Sequence, residues 1–279
     1  MNPTEWPAST DPDPMLRLVL PTASDRKRRL FAVACCRRVT GRLVDGHLVL
    51  GERKADYHKA VDAAARFADG RATERDMGYA FSDADDSAFC NMELAGAGRP
   101  ELRKALFGDD ASWTSRVRVD EMSDEDSEAF EAAADPAAWL ESNSGEDDHL
   151  RNSVDPFRDV AAEDAVEVGE TISRQVLLLV RTHLGREAEV EEKTAQAALI
   201  RDVFGDPYPP PAFDPVWRTT TVAALAAGID ADQAFDRMPV LADALEDAGC
   251  NNAAILGHCR GPGPHVPGCW VLDLVLGKN

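Results

Sequence analysis

Cys250, His258, Cys259, His265 and Cys269 lie within one run, Asp236 to Leu276. It holds three of the chain's six cysteines and two of its six histidines. Thiolates and imidazoles bind borderline-soft metals, and an activated thiolate attacks electrophiles. Three chemistries follow. Cys250, Cys259, His265 and Cys269 supply the four donors of a tetrahedral zinc site, with His258 to spare, although no C-x-x-C pair occurs and the spacing is irregular. The amides of Gly268 and Cys269, at the start of a last helix with Arg260 and His265 nearby in sequence, could hold an anion. Cys269 could also act as a nucleophile with His265 as its base, but no third group that would orient the pair is evident. Against all three stands a plain structural reading, in which free thiols are small buried hydrophobes in packed helices.

The elements that must position these residues are helices. Met238, Leu241, Leu245 and Ala248 recur at steps of three and four, the mark of one helical face. Asp236 is placed to cap that helix, Pro239 fits its first turn, and Gly249 suits its left-handed end. Asn251 or Asn252 caps a short second helix running through His258. The sequence GPGPHVPG then forces a loop. Trp270, Val271, Leu274 and Val275 begin a last helix that is apolar on most sides and therefore buried. Arg260, His265 and Trp270 are the candidate residues for contact with a partner.

Upstream, Pro3, Pro7, Pro12 and Pro14 make an extended or turning lead, with Trp6 pinned to the body. Ser24 and Asp25 open a helix with a stripe of Leu30, Val33 and Ala34, and Gly41 is expected to stop it. The same helix carries Arg26, Lys27, Arg28 and Arg29. No aromatic residues interleave with them to stack bases, so they are expected to pair with the protein's own carboxylates. Tyr57 to Phe67 forms a second amphipathic helix closed by Gly70, and Thr73 with Asp76 resembles a capping pair. Residues 108–155 are rich in acid and loop-forming residues and read as a surface excursion. No D-x-D-x-D-G loop occurs there to suggest calcium. A long helix is expected from Val160 to Leu184, divided by Gly185 from another that bears Val190, Ala197, Ile200 and Phe204. The Pro209–Pro211 run makes a stiff connector. Asp214 and Pro215 start the next helix, and Asp230 with Gln233 suggests a capping box.

Composition narrows the function. The 279-residue chain has 44% hydrophobic residues, ordinary for a globular protein, and a net charge of −20. That charge opposes binding to phosphate backbones and to anionic membranes. The sequence shows no secretory leader and no stretch of transmembrane length. Adjacent Cys35 and Cys36 argue against a disulfide framework and for reduced thiols in a cytoplasm. Neither a phosphate-cradling glycine loop nor an H-E-x-x-H or G-x-S-x-G motif occurs.

Both ends carry longer signatures. The N-terminal ASDRKRRLFAVACCRR, the segment IRDVFGDPY before FDPVW, and the C-terminal LADALEDAGC with HCRGPGPHVPGCW together resemble an uncharacterised bacterial family of hypothetical proteins. The resemblance implies that the two termini belong to one unit, and it implies no activity, cofactor or catalytic residue. The expectation is an all-α, irregular multi-helix bundle forming a single domain over residues 1–279. Its leading functional reading is a cytoplasmic interaction or regulatory module that binds another protein and is not an enzyme. The alternative is a metal- or thiol-dependent protein that uses the C-terminal cysteines and histidines.

Overall fold

The computed structural model describes residues 1–43, 54–80, 160, 165–209 and 211–278, and the acidic segment 108–155 lies outside them. The fold is all-α, and no strand occurs among the described residues. The helices are α1 (Pro12–Val19), α2 (Asp25–Leu43), α3 (Lys54–Ala68), α4 (74–80), α5 (Ala165–Leu184), α6 (Arg186–Phe204), α7 (Thr220–Asp232), α8 (Met238–Asp247), α9 (Ala253–Arg260) and α10 (Trp270–Leu276).

Their side chains form two hydrophobic clusters. The first is built on α2, which packs most extensively against α5 and also against α3 and α6. Phe31, Met15, Leu16, Ile172, Leu199 and Ile200 are fully buried in it, and Trp6 from the N-terminal lead is covered as well. The second gathers Val222, Ile229, Met238, Leu241, Leu245 and Val275 from α7, α8 and α10, with Cys250, Cys259 and Cys269 inside it.

Local sequence explains most boundaries. Asn252 caps α9, its side chain accepting from the amides of Ala254 and Ile255, and Gly249 takes φ 89° after α8. Several local expectations give way. Helix α2 runs through Gly41 to Leu43, because a single glycine weakens a helix without stopping it. Asp214 and Pro215 start only one 3-10 turn, and α7 begins at Thr220 with Thr219 as its cap. Gln233 ends α7 in the left-handed conformation instead of joining a capping box, and Asp230 pairs with Lys278. The turn Phe235–Arg237 also precedes α8, so Arg237, not Asp236, occupies its cap position.

The basic start of α2 faces inward. Arg26 pairs with Asp69 and Asp273, Lys27 with Asp273, and Arg28 with Asp25 and the Leu20 carbonyl. Arg29 is buried, with its guanidinium 5.1 Å from the Phe67 ring centroid. Arg26, Lys27 and Arg28 do use the protein's own carboxylates, as expected, Arg26 and Lys27 in the interior and Arg28 at the exposed Asp25.

Helix α6 carries three polar residues on its buried side, each met by a different element. Glu192 takes a forked pair of bonds from Arg38 of α2, at 3.1 Å from Nε and 3.1 Å from an Nη. Gln196 accepts from the Ser173 hydroxyl of α5 at 2.6 Å. Asp202, in the last turn, meets the C-terminal segment.

Candidate metal centre

Asp202 is an acid that its helix alone would not bury. Leu199, Ile200 and Val203 surround it in sequence and are buried, so its side chain is carried into the interior with them. Three groups from the C-terminal segment close on it there. His258 comes from the last turn of α9, whose start is fixed by the Asn252 cap. His265 comes from the loop, where Gly263 adopts φ 83° and the Gly263–Pro264 bond is cis. Cys269 sits immediately before α10, after Gly268 at φ 90°. A Cβ on Gly268 would lie 2.9 Å from Leu30 Cδ1, so only glycine lets this turn approach α2 so closely.

The distances converge on one point. Asp202 Oδ1 lies 3.0 Å from His265 Nδ1 and 3.1 Å from His258 Nε2. His258 Nε2 is in turn 3.1 Å from Cys269 Sγ. All four ligand atoms fall within 4.8 Å of one another. A tetrahedron with zinc–ligand arms of 2.0–2.3 Å has edges of about 3.3–3.8 Å, so small shifts would seat an ion among them. The second carboxylate oxygen, Oδ2, accepts from the Val266 amide at 2.9 Å, which orients Oδ1 toward the imidazoles. The His258 ring packs on Trp270, centroids 5.1 Å apart, and edge-on to His265 at 4.9 Å.

Burial decides the electrostatics. It pushes the Asp202 carboxyl up, but hydrogen bonds from His258 and His265, the His258 charge and the Val266 amide outweigh it, and the group titrates below its ordinary value. Burial drives the Cys269 thiol well above its usual range, with the Asp202 charge adding to the rise. Without a cation this sulfur is a protonated thiol at neutral pH, whereas a bound metal would stabilise the thiolate. His265 Nε2 is buried with no hydrogen-bond partner, so its ring is bonded only on the side facing the cluster.

The contacts around Cys269 differ from those of a nucleophile and its base. In a relay the base uses one ring nitrogen for the nucleophile and the other for the orienting acid. Here His258 Nε2 faces both Cys269 and Asp202. The contact is convergent, as around an ion, and the thiol is deactivated by burial.

The group that the structure gathers differs from the ligand set expected from sequence. His265 and Cys269 come together, the spare His258 joins them, and Asp202 completes the group. Cys250 and Cys259 are buried in the second cluster outside this set, and burial pushes the Cys259 thiol to about 12. The anion reading also loses its parts. Arg260 turns away to Asp243 and Glu246 on α8, and the Cys269 amide donates to the Val266 carbonyl. Of the candidate contact residues, only Arg260 is exposed, because His265 is nearly covered and Trp270 is buried. Asp202 was missed because no spacing rule ties it to residues so much later in the chain. Its one signal is an acid at the helical spacing of a buried stripe.

No family model, curated protein or solved structure matches this chain. Among the described residues, no helix is long and apolar enough to cross a membrane.

Proposed function

We propose that the protein binds one zinc ion through Asp202, His258, His265 and Cys269, and that the metal fastens the C-terminal helices to the α2–α6 body. The observation that carries this reading is the convergence of four donor atoms from α6, α9, the loop and the start of α10 within 4.8 Å in a largely buried setting. The mixture of one thiolate, two imidazoles and one carboxylate suits zinc better than magnesium or calcium, which take oxygen ligands. Four protein ligands leave no open position for substrate, so the role is structural. Two imidazole N–H groups donating to one carboxylate oxygen would satisfy Asp202 without an ion, and metal content distinguishes the two states.

Elemental analysis of protein purified without chelator tests the proposal. About one zinc per chain is expected, with loss of the metal in Cys269→Ala and in Asp202→Asn and retention in Cys250→Ala. Metal-free wild-type protein that takes up no zinc on titration would sink it. The reading as a partner-binding module through Arg260, His265 and Trp270 has weaker support, because two of the three side chains face inward.

A further inference from the structure

Lys27 reaches the candidate centre from the first turn of α2. Its mostly buried ammonium donates to the Gly268 carbonyl at 2.6 Å and to the Val203 carbonyl at 2.8 Å, and pairs with Asp273 at 2.6 Å. Gly268 immediately precedes the ligand Cys269, and Val203 immediately follows the ligand Asp202. One cation therefore ties together the two backbone segments that carry the anionic ligands.

We propose that Lys27 is a positioning residue of the metal centre, fixing the separation of Asp202 and Cys269 through their neighbouring carbonyls. This rests on the zinc reading above. A compact ammonium suits the task, because it can point separate N–H bonds at two carbonyls and a carboxylate at once. Arg26 is the natural control. It shares Asp273 with Lys27, but its bonds run to Asp69 and Asp273 and not to the ligand segments.

The experiment compares zinc affinity, measured by chelator competition, and the cobalt-thiolate charge-transfer band in wild type, Lys27→Met, Lys27→Arg and Arg26→Met. Helicity and thermal unfolding are recorded for each. Lys27→Met is expected to weaken zinc binding by about 10–100-fold and to shift the cobalt band, the usual consequence of losing an outer partner of a metal ligand. Lys27→Arg keeps the charge, and so supports folding, but its planar fork cannot reproduce the three bonds. It is expected to weaken binding by roughly tenfold on the same ground. Arg26→Met is expected to melt earlier while keeping its affinity within about threefold of wild type, since it touches no ligand segment. Wild-type affinity in Lys27→Met, or in Lys27→Arg should the methionine variant not fold, would overturn the role of Lys27. An equal loss in Arg26→Met would also overturn it, by tracing the effect to stability alone. Wild-type protein that binds neither zinc nor cobalt would instead remove the metal reading itself.

Discussion

At the scale of single residues, burial sets the chemistry of the thiols. Cys259 is fully covered, and its thiol titrates near 12. The thiolate fraction near neutral pH is then on the order of 10⁻⁴ to 10⁻⁵, too small for useful nucleophilicity. Iodoacetamide at pH 7.5 should leave Cys259 and Cys269 unmodified in the folded protein and label both after unfolding in guanidinium, as read by peptide mass spectrometry. Rapid labelling of folded Cys269 would mean that the thiol is activated, and would revive the nucleophile reading. The sequence disclosed three of the four members of the candidate centre, His258 only as a spare donor. His265 and Cys269 stand out by type, and they sit in a loop whose glycines and prolines demand a fixed shape. Asp202 stayed hidden because a carboxylate on a helix is ordinarily a solvent group, and its partners are fixed by tertiary packing that local spacing does not encode.

At the scale of elements, caps and turns carry most of the legible information. Thr73 and Asp76 open α4 as the sequence suggests. The Thr73 amide and hydroxyl both donate to the Asp76 carboxylate at 2.8 Å, and these bonds hold its pKa below the ordinary value. A depressed folded-state pKa contributes stability above the unfolded-state value of about 3.9, and that stability is lost as pH falls through the folded value. Protection of the 74–80 amides, taken relative to their intrinsic exchange rates, should therefore be lost in acid only below the usual carboxylate range. In Asp76→Asn protection should be reduced already at neutral pH. A flat acid profile in the wild type would show that the cap contributes nothing. Helix existence and most starts were readable because apolar spacing and cap residues are local. The end of α2 and the start of α7 were not, because packing carried one helix past a glycine and a Thr219 cap displaced the Asp214–Pro215 signal by one turn.

At the scale of the whole molecule, the two hydrophobic clusters meet where α2 and α6 touch the C-terminal segment. Gly268 presses on Leu30, Gly205 on Trp270, and Lys27 and Arg26 grip Asp273. If zinc joins this seam, removing it weakens the seam and not the body. A chelator should lower the melting temperature by about 5–10 °C, the shift expected when a ligand present near one hundred times its Kd is withdrawn from a chain of this size. Proteolysis in the connector 205–214 should quicken in parallel. An unchanged melting curve in a protein known to have lost its zinc would place the metal outside the stabilising structure. The polar residues on the buried side of α6 have a mechanical consequence. Glu192, Gln196 and Asp202 are each answered by a different neighbour, so the rod is keyed at three heights like a shaft in its slots. A ratchet of one turn, about 5.4 Å, would strand all three keys at once in an oily wall. The register of α6 is therefore set at three separate points along its length, and a change at any one of them is resisted by the other two.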